Sequence, residues 1–241
     1  MWLRVGWLAV AFSLCAPAQR PVFEVASIKP GRPESRMLRS MVTPGGNLRA
    51  ENATLRTLIE DAYQMKPFQL TGGPGWINED RFEVLAKGDA SATTDQVRLM
   101  LRSLLEDRFQ LALRRETKEQ TISYLVVKNQ SKLSQSKEGT REYFSTTTQH
   151  DGSMNHVAFK GTPMAKLADM LSRQLGHMVE DRTGLSGPFD FELDATHEET
   201  ERNPFIVPWA PSLGQIGLKL ETSKGPVEFF VIERVQKPSS N

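Results

Sequence analysis

Two stretches of this chain carry the same order of signals, and that repeat restricts the fold more than any single motif does. Asn47 to Tyr63, a strand signal running through Thr54 into a helical pattern, aligns with Asn155 to Leu171. Gly75-Trp76 through Phe82-Glu83-Val84 aligns with Thr183-Gly184-Leu185 through Phe189-Asp190-Phe191, and Leu104 to Val127 aligns with Leu213 to Val235. Each stretch reads strand, helix, strand, helix, hairpin. The expected fold is α+β: two pseudo-duplicated halves in which antiparallel sheets carry helices packed on one face.

The helical segments are set by spacing and caps. Leu55, Leu58, Ile59, Ala62 and Tyr63 fall on one helical face, with Asn52 or Thr54 available as N-cap. Thr93 and Gln96 form a capping box ahead of Val97, Met100, Leu101, Leu104 and Leu105. A third helix is expected from Thr162, with Pro163 at its first position, an apolar stripe over Met164, Leu167, Ala168, Leu171 and Leu175, and Gly176 as stop. A fourth, Pro211 to Ile216, is short. Between them lie alternating strand patterns: Phe23 to Ile28, Phe82 to Ala86, Gln110 to Arg115, Ile122 to Val127, His156 to Phe159, Phe189 to Leu193, Leu218 to Thr222 and Val227 to Val235. Lys118-Glu119-Gln120 and Ser223-Lys224-Gly225-Pro226 read as the turns of two hairpins.

Residues 1–18 read as a secretory leader: Arg4, an apolar run from Val5 to Ala16, and small residues at Ala16-Pro17-Ala18. Export to the periplasm or beyond is the expectation, with a first half over 19–128, a polar linker or loop over 129–151 and a second half over 152–241. The apolar run is too short to span a bilayer, and nothing later approaches the required length. Cys15 is the only cysteine, so past the leader no disulfide or thiolate ligand is available. The 30 Lys and Arg against 29 Asp and Glu leave no basic surplus for tracking phosphates, so nucleic acid is not an expected partner.

Several local sequences together resemble a secreted, soil-associated acidobacterial family of paralogues, a domain of unknown function. They are Phe23-Glu24-Val25-Ala26-Ser27-Ile28-Lys29-Pro30, Gly72-Gly73-Pro74-Gly75-Trp76, Met100-Leu101 with Leu104-Leu105-Glu106-Asp107-Arg108-Phe109, Asp181-Arg182-Thr183-Gly184-Leu185-Ser186-Gly187, and Val231-Ile232-Glu233 leading to Lys237-Pro238. The resemblance implies no established activity. Related domains occur attached to membrane metallopeptidases of the BlaR/MecR sensor type, which points by association to envelope sensing or binding.

No catalytic set is expected. Ser134-Gln135-Ser136-Lys137 matches a Ser-x-x-Lys spacing, but it sits in the polar stretch and no Ser-Asp-Asn follows; Lys160-Gly161-Thr162 has the wrong order for the third motif. Gly184-Leu185-Ser186-Gly187 lacks the spacing of a nucleophile elbow. His150, His156, His177 and His197 form no ligand pattern, so neither a metal nor a cofactor is expected. The candidate binding residues are Trp76 and Trp209, aromatic anchors on irregular segments with core packing as the competing reading, and Asp181 and Arg182, whose competing reading is a hydrogen-bonded turn. The functional expectation is a non-catalytic binding or sensor-like module for an unknown envelope ligand or protein. The alternative is a hydrolase of envelope or environmental polymers working through a carboxylate pair.

Overall fold

The computed structural model describes residues 20–31, 39–43, 45–129, 132–148, 154–196 and 210–238. Trp209, His150, His197 and residues 1–19 lie outside them. In chain order the elements are β1 (Val25–Pro30), β2 (Arg39–Thr43), β3 (Asn47–Thr54), α1 (Leu55–Tyr63), β4 (Leu70–Gly72), α2 (Trp76–Glu79), β5 (Arg81–Lys87), α3 (Thr94–Phe109) and β6 (Ala112–Val127). There follow β7 (Ser134–Gln135), β8 (Tyr143–Thr148), β9 (Met154–Pro163), α4 (Met164–Leu175), β10 (Met178–Asp181), β11 (Pro188–Thr196), a 3-10 helix Ala210–Ile216 and β12 (Leu218–Arg234). The protein is α+β. Its strands form three four-stranded sheets among the described residues: an N-terminal one in the order β1-β5-β3-β2, a central one, β10-β6-β12-β4, and a C-terminal one, β7-β11-β9-β8.

The caps behave as their chemistry dictates. Thr54, not Asn52, caps α1 by accepting from the Thr57 N–H, and Thr93 with Gln96 closes the box on α3. Pro163 is extended and serves as the N-cap of α4, so that helix starts at Met164 and ends on left-handed Gly176. The inner faces then correspond as Leu55, Leu58, Ile59, Ala62 against Met164, Leu167, Ala168, Leu171, all buried. That match lies one residue later than the one read from the sequence.

Both expected hairpins are absent. β6 and β12 are each one long strand, and they pair with each other antiparallel over nearly their whole length, with Gln120 opposite Gly225 and Glu119 opposite Pro226. The polar runs that read as turns form a ribbon wet on both faces between two cores, where no apolar residue is needed and Pro226 strands no buried partner. The central sheet is also mixed rather than antiparallel: β4 runs parallel to β12, and β10 runs parallel to β6. The stretch 129–151, read as linker or loop, supplies β7 and β8. They are polar edge strands, and polar edges carry no apolar periodicity to announce them.

The central sheet therefore mixes the halves. β4 of the first half lies on β12 of the second, and β10 of the second lies on β6 of the first. One core gathers the inner face of the N-terminal sheet, α1, α3, and Phe230 and Ile232 from β12; the other gathers the C-terminal sheet, α4, and Leu125 from β6. The outer sheets share a further detail. β3 bulges against β5 between Ala50 and Ala53, and β9 bulges against β11 where Phe159 and Thr162 face Phe191 and Phe189. Within each bulge a residue takes a left-handed conformation, Asn52 (φ 53°) and Gly161 (φ 60°). Its N–H donates to a carboxylate on the neighbouring strand, Glu83 at 3.2 Å and Asp190 at 2.9 Å.

Where the two halves touch, Lys66 pairs with Asp169 of α4, which also accepts from Arg173 at 3.3 Å. Burial alone would raise the Asp169 carboxyl, yet these two cations hold it below its ordinary value. A depressed carboxylate contributes stability that is present above the unfolded-state pKa and lost as pH falls through the folded one. Asp169→Asn is expected to cost on the order of 1–2 kcal/mol near neutrality, between the exposed and buried limits for ion pairs. It should also shrink the acid-side loss, both read from urea unfolding at several pH values.

Candidate functional site

The site candidate is a cavity at one end of the N-terminal sheet, and it is made by three chain segments that stop or turn for separate reasons. β1 ends at Pro30, which has no further N–H to give, and Gly31 then donates to the Arg81 carbonyl at 2.6 Å. The approach needs glycine: a Cβ at Gly31 would sit 2.7 Å from the Arg81 Cβ. The second segment begins at Gly72 and Gly73, both left-handed, with φ of 80° and 81°. A Cβ at Gly73 would meet Ile77 at 2.9 Å and Ile232 at 3.0 Å. This close turn lays the single turn of α2 on the core, and the Asp80 N–H closes it on the Trp76 carbonyl at 2.9 Å. The third segment is the tail after β12, pinned where the Gln236 N–H donates to the Phe109 carbonyl at 2.7 Å.

These segments enclose a volume of about 480 Å³, within the range of small-molecule sites. Ile28 and Phe82, both buried, and the rings of Pro30 and Pro238 supply its apolar wall. Lys29, Arg81, Lys237, Glu79 and Asp80 supply its charge. Lys237 pairs with Asp80 at 2.6 Å. The same ammonium lies 5.6 Å from the centre of the Trp76 ring.

The sequence candidates fall around this site and away from it. Trp76 packs half-buried on the first core and does not line the cavity; it touches it through Lys237. Asp181 ends β10 and Arg182 follows it, at the opposite edge of the central sheet from β4, so the structure does not bring them to Trp76. Asp181 accepts from the backbone N–H of Thr183 at 2.9 Å and from its hydroxyl at 2.8 Å, a local turn. Arg182 stacks on Tyr124, 3.5 Å from the ring centre, and pairs with Glu180 at 3.3 Å. Trp209 lies outside the described residues.

Ser134 sits on the two-residue strand β7, so Lys137 cannot share a helical face with it, and Lys160-Gly161-Thr162 runs through the bulge of β9. Among the described residues no group of three His, Cys, Asp or Glu side chains could hold a metal ion. Two pairings escaped the sequence. Ser123 on β6, 2 % exposed, shares a 2.8 Å hydrogen bond with the half-buried His177, which immediately precedes β10. On the outer face of the C-terminal sheet, His156 contacts Asp194 at 2.8 Å and Glu192 at 3.5 Å.

The hydrogen bond to Asp194 raises the His156 imidazole above its ordinary value, with Glu192 adding to it. The contribution is present below the unfolded-state pKa and disappears as pH rises through the folded one. An NMR titration should find His156 protonated to a higher pH than a free histidine. Asp194→Asn should return it toward the ordinary value, and an unchanged midpoint would refute the pairing.

The fold and the cavity together define the chain as an α+β protein with a ligand-sized recess on its N-terminal sheet. It belongs to the family described as a protein of unknown function (DUF3738), which matches residues 56–235. Of the cavity wall only Glu79–Phe82 falls inside that match; Ile28–Gly31 and Lys237–Pro238 flank it. No curated protein and no solved structure matches the chain.

The cavity residues were missed for a physical reason. Lys29-Pro30 and Lys237-Pro238 stood out as local sequences, but they lie at the two ends of the chain. No spacing rule says that they meet; only the run of β12 back into the first core brings the tail beside β1.

Proposed function

We propose that this chain is an exported, non-catalytic binding module of the cell envelope, and that it binds in the cavity bounded by Ile28–Gly31, Glu79–Phe82 and Lys237–Pro238. The observation that carries this reading is the cavity itself: an apolar wall with a charged rim, about 480 Å³ in volume, beside a glycine whose close approach to Arg81 admits no side chain. The leader-like residues 1–18 and the resemblance to secreted acidobacterial paralogues support export, and the association of related domains with BlaR/MecR-type peptidases supports a sensing role. The matching bulges and their capping carboxylates support descent of the two halves from one duplicated unit.

One observation favours the alternative of a carboxylate-pair hydrolase. Burial raises the Glu60 carboxyl, mainly against the pull of Arg56, while Asp169 across the seam is lowered, which is the asymmetry that acid–base pairs need. Asp169 is already engaged by Lys66 and Arg173, which speaks for a structural tie.

The test is a thermal-shift screen of the purified protein against cell-wall fragments, glycans, β-lactams, peptides and divalent metals. A ligand that binds only the folded state raises the melting temperature with concentration. A reproducible rise with one class supports the module. A flat response across all classes, alongside polymer hydrolysis that Glu60→Gln abolishes, would replace it with the hydrolase.

A further inference from the structure

We infer that the cavity ligand is a small organic carboxylate, a monoanion on an apolar body. This rests on the reading of the cavity as the binding site and adds the chemistry of what fills it.

The charged side chains of the cavity do not all cancel. Lys237 is neutralised by Asp80 at 2.6 Å. Lys29 faces Glu83 across the β1–β5 ladder, but the Glu83 carboxylate accepts from the Asn52 N–H at the β3 bulge. Among the described residues, neither Lys29 nor Arg81 has an ion-pair partner within 4.0 Å. Against those two cations the rim sets one carboxylate without an ion pair, Glu79. Counted over the residues that line the cavity, the surplus is a single positive charge, which a carboxylate cancels and an ammonium doubles. Behind the charges lie Ile28 and Phe82, whose buried side chains offer an apolar surface with no polar atom for a sugar ring to hydrogen-bond. A ligand with one anionic end and an apolar remainder matches both features.

The experiment is isothermal titration of the protein with three probes of equal length: octanoate, octanamide and octylammonium. The same titrations are run on Lys29→Gln and on the Lys29→Gln, Arg81→Gln double variant. Lys29 is exposed, so its substitution leaves the fold intact, and the melting temperature of each variant checks this. Octanoate should bind at least tenfold tighter than octanamide, its affinity should fall as salt is raised, and the double variant should erase the preference. Tighter binding of octanamide or octylammonium would overturn the carboxylate while leaving the cavity as a binding site. So would a preference for octanoate that survives the double substitution. Failure of all three probes overturns it too, and the wider ligand screen then decides separately whether the cavity binds anything.

Discussion

Residues 20–129 expressed alone are expected to give no folded monomer. The first core contains Phe230 and Ile232, which come from β12 at the far end of the chain. β4 hydrogen-bonds only to β12 in the central sheet, and the long β6 loses its partner over almost its entire length. Each large apolar side chain removed takes away roughly 1.5–3 kcal/mol of burial, and a bare strand of that length exposes an unpaired edge. With total stabilities of only about 5–15 kcal/mol, such a fragment has no margin left. Size exclusion with light scattering and circular dichroism read the outcome: an unfolded chain, or association through the open edge of β6. Mixing with residues 132–238 should restore native-like signal, because the missing strand is then supplied in trans. A monomeric fragment with a cooperative thermal transition would contradict the exchange of strands.

The second large effect is at Phe159. Its side chain is 0 % exposed and stacks on Phe191 at 4.6 Å between ring centres, with Phe144 tilted against its other side at 5.1 Å. Phe159→Ala removes the middle ring of three and leaves a hole that the strands around the β9 bulge cannot close. The expected loss is about 3–5 kcal/mol, a fall in melting temperature on the order of 10 °C for a chain of this length. A loss below about 1 kcal/mol would mean that Phe159 does not anchor the second core. At the β3 bulge the first core holds Ala50 opposite Val84, smaller side chains than Phe159 and Phe191 at the β9 bulge.

The sequence shows local structure well and long-range pairing poorly, and particular residues explain the division. Thr54, the Thr93–Gln96 box and Gly176 marked helix ends because capping is a local hydrogen-bond problem. The apolar stripe of α4 and the alternation Phe189, Phe191, Leu193 marked what each element buries. Lys118-Glu119-Gln120 misled because a polar tripeptide signals solvent on both faces, and a turn and a wet ribbon satisfy that condition equally. Ser223-Lys224-Gly225-Pro226 misled for the same reason. Once each hairpin becomes one long strand, β6 and β12 reach out of their own halves, which fixes the mixed central sheet and places the tail at the cavity. Tyr143–Thr148 gave no core-facing pattern because an edge strand half in water needs none. Of the site, Trp76 was visible as a candidate residue and Lys29-Pro30 and Lys237-Pro238 only as local sequences of the resemblance, but Arg81 and Gly31 carry meaning only through a backbone contact between strands distant in sequence.

The most direct test of the central claim, that this protein binds its ligand at the end of the N-terminal sheet, is to follow backbone amides by NMR while titrating any compound that raises the melting temperature. The account predicts saturable shifts centred on Lys29, Gly31, Asp80–Phe82 and Lys237, with the Asp181–Arg182 turn unmoved. Shifts centred on that turn, or on the open edge of β8, with the cavity residues unchanged, would contradict it.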